Sequence, residues 1–203
     1  MRVRRSDLLA RRHWIFDLDG TLTVPAHDFD AMRLELGLPA GVGILEALGA
    51  LDEATAAPKW ARLLAWEREI AAAARVQPDA YVLLEALSGR GARLGVLTRN
   101  TAPIAWETLR VVGLDGYFDP AFVLGRDAVA HKPSPEGVLR LLELWGANPD
   151  DAVMVGDYVH DLHAGRTAGV ATVLVDRPGR GADWVAFADR VVDRLDALLG
   201  PGD

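Results

Sequence analysis

A chain of 203 residues, half of them hydrophobic and a quarter charged, is long enough for one principal buried core with room for a modest insertion. Its formal charge of -7 argues against partners that are themselves polyanions, because phosphate backbones and anionic lipid are held by clustered cations; no nucleic acid and no membrane partner is expected. With no cysteine, disulfides, zinc-thiolate centres and thiol catalysis are excluded.

The chain opens with Arg2, Arg4, Arg5, Arg11 and Arg12 around the short apolar run Leu8, Leu9, Ala10, too little for a signal-peptide core, so a solvated leader is expected. No stretch approaches the roughly 18 apolar residues that span a bilayer, and a soluble, cytoplasmic monomer or homodimer is expected. Trp14–Leu18 then reads as the first strand.

Residues 26–75 contain no β-branched run and are rich in Ala, Leu, Glu and Arg, a composition that predicts helices only. Asp28–Leu36, Val42–Leu48 and Pro58–Arg75 are the three candidates. The last carries Trp60, Leu63, Leu64, Ile70, Ala71 and Ala74 along one face. Inserted after the first strand, this segment predicts an all-helical cap (26–75) on a core made of 1–25 and 76–203.

Beyond it, short apolar runs alternate with helical stretches: strands at Arg93–Thr98, Phe122–Leu124, Ala152–Val155, Thr172–Val175 and Arg190–Val192. Pro78 opens a helix over Asp79–Leu87, and Pro135 opens Glu136–Trp145, which Gly146 closes. Alternation of this kind predicts an α/β fold, a Rossmann-like parallel sheet with helices on both faces.

In such sheets ligands gather at the carboxyl ends of the strands. There the sequence has Asp17-Leu18-Asp19-Gly20-Thr21 after the first strand, Thr98-Arg99-Asn100 after the second, Lys132 after the third and Gly156-Asp157-Tyr158-Val159-His160-Asp161 after the fourth. Converging carboxylates repel unless a hard cation neutralises them, and magnesium is held by one or two carboxylates with substrate phosphate and water; Asp17 and Asp157 are the natural ligands. A carboxylate can also attack phosphorus, while an ammonium and a hydroxyl, here Lys132 and Thr98, steady the charge on the phosphoryl oxygens. The chain has 20 arginines and only two lysines, Lys59 and Lys132, so each lysine marks a place where a compact ammonium could be required. The five histidines show no metal-type spacing and read as surface or satisfied residues.

DLDGT at 17–21, Thr98, KPSP at 132–135, GDYVHD at 156–161 and AGRTAG at 164–169 together resemble the haloacid dehalogenase-like superfamily, in its helical-cap branch, over nearly the whole chain outside leader and cap. The resemblance implies a magnesium-dependent phosphomonoester hydrolase, similar to phosphoglycolate phosphatases, acting on a small phosphorylated metabolite through an aspartyl phosphate. It implies Asp17 as nucleophile, Asp19 as general acid and base whose backbone carbonyl also reaches the metal, and Lys132 as the group orienting the nucleophile. Thr98 would bind phosphoryl oxygen, Asp157 would ligate magnesium, Asp161 would support that shell, and Gly20 would let the chain pass close to the phosphate. Arg99 and Asn100, next to the motif threonine, are candidates for substrate phosphate contact or for a helix start. A phosphosugar mutase would share these residues, and a phosphate-binding module without turnover would share the fold. A cap lysine such as Lys59 raises Schiff-base chemistry, against which Asp19 argues.

Overall fold

The structure, a computed structural model, describes residues 5–177 and 183–200. Six parallel strands form one sheet: β1 (His13–Phe16), β2 (Arg93–Leu97), β3 (Val123–Leu124), β4 (Ala152–Gly156), β5 (Ala171–Val175) and β6 (Arg190–Val192), in the order β3-β2-β1-β4-β5-β6. β1 lies at the centre, with Phe16 level with Val96 on one side and Val155 on the other. Strand order therefore reverses at β1, the point where an open α/β sheet splits its loops to leave a crevice.

Side-chain alternation along the strands builds two cores. Trp14, Phe16, Val153, Val155 and Val173 face one side, where they meet α5 (Pro78–Ser88), α6 (Ala102–Val111) and the C-terminal Leu195 and Leu198. Ile15, Leu97 and Met154 face the other, against α7 (Glu136–Trp145) and α8 (Val159–Ala168). Every residue of β1, β4 and β5 is buried, as strands covered on both faces must be. Gly146 ends α7 in the left-handed conformation at φ 62°. No helix among the described residues is long and apolar enough to cross a membrane.

Of the four helices between β1 and β2, the first three, α2 (Phe29–Leu36), α3 (Ile44–Gly49) and α4 (Glu53–Ala72), stand around an apolar cluster of their own that includes Met32, Ile44, Leu45 and Leu63. The chain enters and leaves this unit at a narrow neck, where Val24 N–H donates to Arg75 O at 2.8 Å and Gln77 N–H to Leu22 O at 2.9 Å.

Three expectations are corrected. The long helix runs from Glu53 to Ala72, not from Pro58 to Arg75: Asp52 caps it by accepting from Thr55 N at 3.1 Å, which leaves Pro58 inside, and residues 75–76 are drawn off into the neck. The leader is not simply solvated. Arg2 and Arg4 lie outside the described residues, but α1 (Arg5–Leu9) puts Leu8 wholly inside the core with Leu195 and Leu198. Arg11 Nη1 donates to Ala152 O at 2.8 Å, and Arg12 pairs with Asp151 at 3.1 Å, tying the segment to the start of β4. β1 also stops at Phe16, two residues early, because the chain folds back there: Leu22 and Thr23 N–H both donate to Leu18 O at 3.0 Å.

Candidate active site

The crevice at the strand ends is a cavity of about 270 Å3 that the helical unit roofs over. Asp17 and Asp19 reach it from β1, Thr98, Arg99 and Asn100 from β2, Lys132 from the loop after β3, and Asp157 and Asp161 from β4 and α8. Eight positions spread over 145 residues of sequence thus converge because parallel strands point all their carboxyl ends the same way.

Lys132 is the central cation. Its Nζ lies 2.5 Å from Asp17 Oδ1 and 2.6 Å from Asp161 Oδ1, with the residue 1% exposed. Burial works against its charge, but Asp161 and Asp17 outweigh that and raise its pKa, so it stays an ammonium. Asp161 is held by α8 itself, its Oδ2 accepting from Tyr158 N at 3.1 Å in a capping box. Thr98 Oγ1 accepts from Asn100 N at 3.0 Å, which leaves the hydroxyl proton to donate elsewhere. Asn100 pulls the Asp19 pKa down, against burial, and its Oδ1 accepts from Thr101 N at 3.2 Å just before α6.

The carboxylates are strongly perturbed. Burial, against the pull of Lys132, pushes Asp17 up to about 6. Burial and the neighbouring Asp17 push Asp19 up to about 7, and burial with Asp17 and Asp161 pushes Asp157 up to about 8. Four carboxylates here face one ammonium. Asp17, Asp157 and Asp161 can bring one oxygen each within 4.8 Å of one another, an all-oxygen donor set suited to a hard divalent cation. Both Asp161 oxygens are already engaged by Lys132 and Tyr158, which leaves Asp17 and Asp157 as the better donors. Gly20 lies directly beside this donor set. It sits at φ 97°, and a Cβ there would fall 2.3 Å from Asp157 Oδ2, so the chain backs directly onto the Asp157 carboxylate, which Thr21 Oγ1 also holds at 3.1 Å.

Arg99 lines the cavity but its guanidinium is engaged: bidentate to Glu46 of α3 at 2.7 and 2.9 Å, to Lys132 O at 2.9 Å and against His160 Nδ1 at 2.6 Å. A second link of the same kind joins Arg126 to Glu67 of α4 at 2.8 and 2.7 Å, both side chains less than a tenth exposed. Sequence reasoning missed Glu46, Glu67, Arg126 and the two histidines, His27 and His160, that line the cavity. Burial depresses the pKa of both histidines, His160 to about 4 with Arg99 adding to the effect. A signal for Glu67 was present: it falls four residues after Leu63 and four before Ala71, inside the apolar stripe of its helix. Lys59 stands outside the cavity lining and donates to Leu36 O, closing the C-terminal end of α2.

Residues 38–175 match the family model for haloacid dehalogenase-like hydrolases. "Probable phosphatase IndB" of Dickeya dadantii is 36% identical, covering 92% of this chain and 91% of its own. A phosphoglycolate phosphatase of Rhodospirillum rubrum is 35% identical, over 90% of this chain and 94% of its own. The fold matches a haloacid dehalogenase-like family hydrolase of Streptococcus pneumoniae at a TM-score of 0.73 and 20% identity, over 94% of this chain and 97% of that one. With the family model covering well over half the chain and two relatives above 30% identity aligned nearly end to end, this protein belongs to the haloacid dehalogenase-like hydrolases.

Proposed function

We propose that the protein is a magnesium-dependent phosphomonoester hydrolase that works on a small phosphorylated metabolite through an aspartyl phosphate. The observation that carries this reading is the Asp17–Lys132 contact of 2.5 Å beside Asp19, Thr98 and Asp157 in one roofed cavity. The phosphatase names of the two near-full-length relatives support it. We read it as a cytoplasmic monomer or homodimer, with which the formal charge of -7 is compatible.

In the first half-reaction an Asp17 carboxylate oxygen attacks phosphorus, the ester P–O bond breaks, and Asp19, protonated as its raised pKa favours, hands its proton to the departing alkoxide. In the second, Asp19 takes a proton from water, the water oxygen attacks phosphorus, and inorganic phosphate leaves while Asp17 is regenerated. Lys132 orients Asp17 and, with the Thr98 hydroxyl, donates to the phosphoryl oxygens. Asp17, Asp157 and the Asp19 carbonyl would hold magnesium, with Asp161 supporting them; the ion supplies charge neutralisation between carboxylate and phosphoryl group.

Incubation with a panel of phosphate monoesters and magnesium tests this reading. Release of inorganic phosphate, abolished by chelator and by Asp17→Asn, is the expected result. An isomeric phosphate ester in place of free phosphate would identify a phosphosugar mutase, and no turnover of any ester would leave a binding module.

A further inference from the structure

The helical roof of the cavity is apolar where it faces the space beyond the carboxylates: Phe29, Met32, Ile44, Leu45 and Leu63 come from α2, α3 and α4. Its charges are already matched. Among the described lining residues each cation has an acidic partner on this chain: Lys132 has Asp17 and Asp161, Arg99 has Glu46, and Arg33 has Asp30 at 2.5 Å while also donating to Val42 O at 3.1 Å. Just behind, Arg126 is taken by Glu67.

From this we infer that the enzyme selects phosphate monoesters whose alcohol portion is uncharged and largely apolar, and disfavours those that carry a carboxylate, phosphoglycolate included. The inference rests on the phosphatase reading and adds the substrate class to it. A carboxylate brought under this roof would lose its water against aliphatic side chains and meet no unmatched cation, and charge burial without a partner is costly. The apolar body of a neutral alcohol gains there by the same contacts. A cavity of about 270 Å3 lies just below the usual range of ligand pockets, roughly 300–1,000 Å3, so an alcohol portion no larger than about the size of benzyl alcohol suits it.

Three esters decide the matter: benzyl phosphate, phosphoglycolate and its neutral near-isostere phosphoglycolamide, each assayed for kcat/KM with magnesium. Binding of benzylphosphonate, phosphonoacetate and phosphonoacetamide, followed by calorimetry, gives a readout independent of turnover. The expected order in both is benzyl, amide, carboxylate, with benzyl phosphate preferred over phosphoglycolate by about tenfold or more. In Glu46→Gln, which releases Arg99 from its partner, the ratio of carboxylate to amide should rise severalfold. Phosphoglycolate equal to or better than the amide would overturn the inference while leaving the phosphatase reading intact, as would a Glu46→Gln ratio identical to wild type. Turnover of none of the three, with hydrolysis of another ester in the panel, overturns the inference alone; no turnover of any ester overturns both.

Discussion

Lys132 Nζ lies 2.5 Å from Asp17 Oδ1 in a slot that leaves the lysine 1% exposed, so Asp17, the proposed nucleophile, is held by a point charge with no spare volume around it. A planar guanidinium is larger and needs a fork of acceptors, which Asp17 and Asp161 on two sides of one nitrogen do not offer. Lys132→Arg is expected to lose at least about tenfold in kcat, the equivalent of about 1.4 kcal/mol in barrier. Wild-type turnover in the folded variant would show that charge alone, without shape, suffices at this position.

Gly20→Ala should act through Asp157. The φ of 97° is strained for alanine, and its Cβ would collide with the Asp157 carboxylate, forcing one of them to move. The expected outcome is weaker magnesium activation, read as a rise of about tenfold in the metal concentration for half-maximal activity. An unchanged metal titration curve would mean that Asp157 does not contribute to the metal site.

Asp19 and Asp17 can be separated by the leaving group. Nitrophenolate departs without a proton, so Asp19→Asn is expected to form the aspartyl phosphate from nitrophenyl phosphate and then stall, because water still needs a base. Stopped-flow should record a burst approaching one equivalent of nitrophenolate per site, absent in Asp17→Asn. Steady turnover from time zero at a rate near wild type in Asp19→Asn would require another base.

The metal-free protein should lose stability as pH rises. Asp19 and Asp157 have folded pKa values near 7 and 8, well above the unfolded carboxylate value near 3.8, so their contribution is full below that value and is lost as pH climbs through 7 and 8. The two cavity histidines have lowered pKa values and the opposite sign, but they are spent once pH exceeds about 6.5. Between pH 7 and 9 the melting temperature in chelator should therefore fall by several degrees, for a loss of roughly 1–2 kcal/mol, and magnesium should remove most of that slope. A flat profile in chelator would contradict the raised pKa values.

Removing Arg126 should be costly because it strands Glu67 as a buried acid. A loss of about 3 kcal/mol at pH 8 is expected for Arg126→Ala, falling at pH 5, where Glu67, already raised by burial, takes up a proton. Glu67→Met with Arg126→Met should recover most of the stability, since no charge is left unpaired. Chemical denaturation at the two pH values checks both statements.

The strand-end residues were legible in the sequence because each belongs to a local run. Asp17 and Asp19 follow an apolar strand, Thr98 ends another, and Lys132 and Asp157 sit beside proline and glycine turn signals, so alternation and strand polarity bring them to one rim. Strand limits were legible to within one or two residues. The start of α4 was not, because Pro58 is a stronger local signal than the Asp52 cap that begins the helix. What only the tertiary structure decided is how the cations are matched. Glu46–Arg99 and Glu67–Arg126 join residues 53 and 59 positions apart, and an acid on an Ala- and Arg-rich helix looks solvated until the partner that buries it is in place. Which charges cancel depends on distances across the cavity, and no period along the chain encodes them; the carboxylates at the strand ends are a property of the sequence, and the electrostatic character of the space around them is a property of the fold.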